Sequence, residues 1–192
     1  GMLLSSTPLT LSETASVFGE MMTFRNLLER SDKSQKKYLL ASKIEDMINT
    51  VVRQISFFEF EKILHTERKK GELSSEKICE IWMETQSKSL GPNIDLSGDY
   101  KYFWTYIPHF IHTPFYVYAY AFGDCLVNVL IQLFDENHPN FKQLYLDLLK
   151  SGGSKHYSEV LSPFNIDLKD NKSWDKGLSL ITGLIDEYEN TL

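Results

Sequence analysis

Two carboxylates, Glu13 and Glu20, stand seven residues apart in the segment 9–22, Leu-Thr-Leu-Ser-Glu-Thr-Ala-Ser-Val-Phe-Gly-Glu-Met-Met. In one helix that spacing is close to two turns, so both acids project from the same face as Ser16 and Val17. Leu11, Ala15, Phe18 and Met22 then fall on the other side. Paired acids on a shared face can supply a metal ligand and a second group that steadies the ligands from behind. The pair is equally an ordinary feature of soluble helices. Thr10-x-x-Glu13 also fits a capping box, in which the two side chains close the first helical amides reciprocally. Spacing alone leaves these readings open.

A second constellation is His109 with Tyr116, Tyr118 and Tyr120 behind Pro114. Imidazole and phenol groups donate hydrogen bonds near neutral pH, so several converging on one point can stabilise a developing oxyanion. An aromatic-rich packed helix is the other reading. The metal motifs are incomplete. His65 opens His-Thr-Glu-Arg-Lys, which is not HExxH, and no Glu-x-x-His pair occurs. Among His65, His109, His112, His138 and His156, only the loose His109-x-x-His112 offers close spacing. There is no Gly-x-Ser-x-Gly elbow and no glycine-rich phosphate loop, and Gly152-Gly153-Ser154 reads as a turn. Cys79 and Cys125 lie far apart in separate apolar segments, which points to buried thiols in a reducing, cytoplasmic setting.

The elements that must position these groups read as helices throughout. A helical pattern covers 10–30, and Ser31-Asp32-Lys33-Ser34 breaks it and caps the next. Ile44, Ile48, Val51, Ile55 and Phe58 then recur at spacings of four and three, an apolar stripe along one long central helix over about 35–70. Leu40, Met47, Val52 and Phe57 widen it, and Phe57-Phe58-Glu59-Phe60 reads as core packing. Gly71 ends that helix, and Ser74-Ser75-Glu76-Lys77 opens another that turns Ile78, Ile81, Trp82 and Cys79 inward and stops at Leu90-Gly91-Pro92-Asn93. Residues 93–106 read as a turn-rich aromatic loop, either a hydrophobic plug or a binding wall. Pro114 suits a first helical turn, so a helix is placed over 114–135, with Tyr116 and Tyr120 on one face and Tyr118 elsewhere. Further helices are expected over 140–150, 158–161 and 173–189.

With 192 residues, 42% of them apolar, the chain can bury one full core, and a single all-α domain over 1–192 is expected. A net charge of −6 and a pI near 5.4 argue against nucleic acid or an anionic membrane as partner. The one basic run, Arg68-Lys69-Lys70, complements a helix end. No secretory pattern opens the sequence, and the apolar run 115–134 is interrupted by Gly123, Asp124, Asn128 and Gln132.

Three segments together resemble the oligoendopeptidase F branch of the thimet oligopeptidase-like zinc metallopeptidases, in the order of the C-terminal part of the catalytic domain. They are 9–22, then 44–61 with Ile44-Glu45-Asp46, Arg53-Gln54 and Phe57-Phe58-Glu59-Phe60-Glu61, then 107–120 with Ile107-Pro108-His109-Phe110 and Pro114-Phe115-Tyr116-Val117-Tyr118-Ala119-Tyr120. The tail from Ser151 through Asp167 and on to Glu189 is also similar. The resemblance implies an all-α fold and zinc-dependent hydrolysis of short peptides. It makes Glu13 the third zinc ligand and Glu20 the acid that steadies the ligands. His109, Tyr116, Tyr118 and Tyr120 match the stretch that donates hydrogen bonds to substrate and tetrahedral intermediate, with His112 beside them on the substrate side. The family's HExxH helix, which carries both zinc histidines and the general base, has no counterpart in these residues. The chain is therefore expected to be inactive alone and to need a complementary HExxH-bearing segment. The alternative is a non-catalytic helical module that binds peptide or protein, as a homodimer through the groove left uncovered.

Overall fold

The computed structural model describes residues 7–192, and among them every regular element is helical. None of the helices is long and apolar enough to cross a membrane. The described residues form two compact units, one from the residues up to Met47 together with Phe122–Leu192, the other Ile48–Ala121.

The first unit begins with α1 (Leu9–Ser12), α2 (Thr14–Arg30) and α3 (Lys33–Ile48). α1 is preceded by Pro8 as its N-cap, and Glu13 sits at the α1–α2 junction rather than inside one continuous helix. The Thr10 side chain, and with it the capping box read at Thr10-x-x-Glu13, lies outside the described residues. A capping box does form at the next helix. The Gln35 amide donates to Asp32 Oδ1 at 2.9 Å, and the Asp32 amide donates back to Gln35 Oε1 at 3.1 Å.

α7 (Tyr118–Asp135) is buried all round over 123–131, a stretch that is apolar except for Asp124 and Asn128, as expected of a helix with no solvent face. It is wrapped by α8 (Phe141–Ser151), α9 (Tyr157–Leu161), a 3₁₀ turn Ser162–Phe164 and α10 (Asn171–Glu189). Leu126, Val129 and Leu130 pack with Leu11, Phe141, Leu148, Leu161 and Phe164. Fully burying each such side chain contributes about 1.5–3 kcal/mol. Gly177 of α10 lets that helix come down onto α7: a Cβ there would meet the Cys125 carbonyl oxygen at 2.6 Å.

The second unit contains a π-helical stretch Asn49–Arg53, then α4 (Gln54–Arg68), α5 (Ser75–Leu90), a 3₁₀ helix Gly98–Tyr106 and α6 (His109–His112). Ser74 caps α5 through the Lys77 amide, and Ile81, Trp82 and Cys79 are buried, as the sequence indicates. The aromatic stretch expected as a loop is instead the 3₁₀ helix. The Trp82 indole donates to the Tyr100 carbonyl at 2.9 Å, and Phe57, Phe60, Trp82 and Val117 form the core over which Tyr100, Trp104 and Phe110 close. That end of the stretch is a hydrophobic plug, while Tyr106 at its far end is 81% exposed. Ser56, Gln86 and the Tyr100 hydroxyl form a polar bridge between α4, α5 and the plug.

The helix expected over 35–70 is present as α3, the π stretch and α4, but its buried stripe is not the one read from spacing. Leu40, Lys43, Met47 and Val51 are buried, and burial then resumes at Ser56, Phe57, Phe60 and Glu61. Ile48 and Ile55 are exposed, and Ile44 is half-buried. A π turn holds more than four residues, so the buried face steps forward by one position across it. A stripe extrapolated at a constant 3.6-residue period through the π stretch runs out of phase.

Candidate functional site

Glu13 and Glu20 belong to the first unit. Glu13 is half-buried at the helix junction, with φ −87° and ψ −2°, and its Oε2 accepts the Ser16 hydroxyl at 3.1 Å. Gly123 of α7 is what permits this seat, since a Cβ at 123 would lie 3.1 Å from the Glu13 Cβ. The faces of this segment match the expectation in part: Leu11 is buried and Phe18 packs against the core, but Thr14 and Met21 are buried as well, Ala15 is exposed and Met22 is half-buried. The Glu13 carbonyl accepts the Val17 amide at 3.0 Å, so the two acids stay in helical register, but their environments differ.

Glu20 is exposed and its Oε1 accepts from the Lys43 ammonium at 2.5 Å. Lys43 is itself buried and also reaches Asp46 at 3.5 Å. Close by, the buried Asp124 accepts from Asn128 Nδ2 at 3.0 Å, while Asn128 Oδ1 has no partner among the described residues. Burial pushes the Asp124 carboxyl from 3.8 up to about 6. The Lys43 ammonium and the Asn128 amide oppose the rise, while Asp46 and Glu20 add to it. Burial and the Asp124 charge push the neighbouring Cys125 thiol up to about 12, so it is an inert packing group. Cys79 is likewise free and buried.

The second unit holds the donor array. α6 presents His109, whose Nε2 lies 3.3 Å from the Tyr120 hydroxyl. The His109 ring stacks on Tyr116 with centroids 5.6 Å apart at 23°, and Tyr116 meets Tyr120 edge-on at 5.2 Å. Tyr118 is turned away and packs edge-on against Phe58 at 5.7 Å. His112 is exposed and makes no side-chain hydrogen bond or ring contact with the array. Thus three of the five sequence-designated groups on this side come together. α7 begins at Tyr118 rather than at Pro114, so Tyr116 enters from the turn before the helix, and its pairing with Tyr120 survives that change.

Sequence reasoning missed Glu61. It is fully buried in α4 beside Phe57 and Phe60, accepts the Phe115 amide at 2.8 Å through Oε1, and leaves Oε2 without a partner among the described residues. Burial raises its carboxyl above the ordinary range. The Phe115 amide and the charges of His65 and His109 pull the other way. The available signal was phase: Glu61 is four residues from the core residue Phe57, a charged group on an apolar face.

These residues do not make a metal centre by themselves. Among the described residues no three His, Cys, Asp or Glu side chains could hold one ion, and the Glu20 carboxylate is already bonded to an ammonium. Glu13 can offer a ligand oxygen, and among the described residues no group of ligands gathers around it.

The sequence pattern of Peptidase family M3 matches residues 3–180. The chain belongs to that family. Oligopeptidase PepF of Bacillus subtilis is 30% identical over 185 residues, covering 95% of this chain and 27% of its own length. An oligoendopeptidase F homolog of Borreliella burgdorferi is 31% identical over 180 residues, covering 93% of this chain and 30% of its own length. Among solved structures, oligoendopeptidase-F from Enterococcus faecium superposes with a TM-score of 0.85 at 28% identity, over 96% of this chain and 36% of that one. The M3 chain described here therefore spans about a third of the length of the relatives it matches.

Proposed function

We propose that this chain supplies the substrate-side donors and one metal ligand of a zinc-dependent oligoendopeptidase site. Its ligands are short peptides, and peptide-bond hydrolysis needs a complementary HExxH-bearing segment. The observation that supports this most is the convergence of His109, Tyr116 and Tyr120, in a chain of an M3 family whose relatives are named oligopeptidases. A phenol and an imidazole fixed within hydrogen-bond reach can donate to a peptide carbonyl oxygen, and donate more strongly as that oxygen gains charge. Their stacking holds the rings in one orientation before substrate arrives, so little is lost to reorganisation on binding.

Glu13 is the proposed zinc ligand and Glu20 the proposed steadying acid. Zinc would supply an acidified water and polarise the scissile carbonyl. The Lys43–Glu20 pair means that Glu20 reaches any ligand only with an ammonium attached. A cytoplasmic setting is part of the same proposal and is in keeping with two free, buried thiols. Catalytic inactivity of the isolated chain is part of the same proposal, supported by the lack of a three-ligand group among the described residues.

Titration of the chain with a short unstructured peptide, followed by NMR of the aromatic and imidazole signals, tests the substrate-side part. Shifts should centre on His109, Tyr116 and Tyr120, and Tyr120→Phe should weaken binding several-fold by removing one donor. Shifts that spare these three residues would refute the assignment.

A further inference from the structure

Resting on that reading of the array for its functional consequence, we propose that Glu61 is its positioning residue, a buried carboxylate that clamps the turn at Phe115 and so holds Tyr116 against His109. The backbone of Phe115 lies at φ 60°, in the left-handed region, where a bulky side chain is strained. Such a conformation persists only where the surroundings over-determine it. Glu61 Oε1 supplies the constraint by accepting the Phe115 amide at 2.8 Å. The Phe115 ring is held as well, edge-on to Phe58 at 6.3 Å and 4.9 Å from the His65 ring.

The next residue is Tyr116, whose amide bonds the Thr113 carbonyl at 3.2 Å and whose ring lies on His109. Relaxing Phe115 to a right-handed conformation would turn the chain that carries Tyr116 and break this stack. Stability alone does not account for the group at 61. A fully buried carboxylate with one oxygen unpartnered among the described residues is a poorer core residue than an apolar side chain of the same size. What it provides that no apolar residue can is an acceptor for the amide at the left-handed position of the turn.

The experiment uses the 192-residue chain with Glu61→Ala, Glu61→Gln and the double variant Glu61→Ala/Phe115→Gly, read by amide hydrogen exchange and by ring-to-ring NOEs. In the unsubstituted chain the Phe115 amide should be protected and His109–Tyr116 NOEs present. Glu61→Ala should speed Phe115 exchange by roughly tenfold or more and remove those NOEs. Glu61→Gln keeps an acceptor oxygen and should retain both. The double variant restores the NOEs, because glycine adopts the left-handed conformation without strain, and it serves as the decisive comparison if Glu61→Ala alone does not fold. An unprotected Phe115 amide in the unsubstituted chain, NOEs that persist in Glu61→Ala, or a Gln variant that behaves as the Ala variant would each overturn the clamp. Peptide titration separates the two claims: a chain with every clamp signature but no response to peptide supports the clamp and overturns the peptide reading.

Discussion

Asp124→Asn should make the stability difference from the unsubstituted chain strongly pH-dependent, and the size follows from the burial of that side chain. Asp124 is 3% exposed, and its carboxyl is pushed up from 3.8 to about 6. The folded chain therefore holds that proton more tightly than the unfolded chain does. Between about pH 4 and pH 6 folding binds a proton, so stability falls as pH rises through this window, and the penalty is complete above the folded value. The separation of the two values corresponds to about 3 kcal/mol. Asparagine cannot ionise, keeps an oxygen to accept from Asn128, and escapes the penalty. Relative to the unsubstituted chain, Asp124→Asn should gain about 3 kcal/mol between pH 4 and pH 7.5, with little difference at the acid end. Urea unfolding of both proteins across that range, at matched denaturant slopes, measures the difference directly, and titrations common to both cancel. Parallel stability curves would refute the reasoning, because they would mean that Asp124 ionises in the folded chain as it does in the unfolded one.

Three further outcomes are expected. Lys43→Met should move the Asp124 titration above about 6, since the ammonium that opposes the rise is gone, and should free Glu20; carboxyl NMR shifts against pH read both. Gly177→Ala drives a Cβ to 2.6 Å from the Cys125 carbonyl oxygen and should destabilise the first unit. Backbone cannot yield as a side chain does, so an overpacking cost of about 1–3 kcal/mol exceeds the helix-propensity gain of up to about 1 kcal/mol, and thermal unfolding should show a lower midpoint. Gly123→Ala presses on the Glu13 Cβ at 3.1 Å, where a shift of a few tenths of an ångström suffices. Its effect should appear as weaker metal binding in a complemented site, with less than about 1 kcal/mol lost in stability.

The helical architecture was legible because its punctuation is local. Ser74 and Gly91 bracket α5, Asp32 with Gln35 caps α3, and the helices near 141–151, 157–161 and 171–189 sit within about two residues of their expected bounds. What failed was phase. Ile55 fits a regular period but is exposed, because the π stretch at Asn49–Arg53 shifts the buried face and no residue type announces such a turn; Ile48, ahead of that stretch, lies beside the Leu40–Lys43–Met47 face that α3 buries and not on it. The 3₁₀ helix Gly98–Tyr106 was hidden by its aromatic, turn-prone composition. In the site, the pairing of Tyr116 with Tyr120 was readable from a spacing of four, and so was the departure of Tyr118. Glu61, Lys43 and Asp124 were not, since each is a charged residue on a buried face and its role depends on a partner distant in sequence: Phe115 for Glu61, Glu20 for Lys43, and Lys43 for Asp124.

Cleavage of an internally quenched peptide tests the central claim most directly, measured with this chain alone and with this chain joined to the HExxH-bearing portion of an M3 relative, each with zinc and with a chelator. The account predicts no cleavage by the chain alone. The joined protein should show zinc-dependent cleavage that Glu13→Ala abolishes and Tyr120→Phe reduces. Chelator-sensitive cleavage by the chain alone, or joined activity indifferent to Glu13, would contradict it.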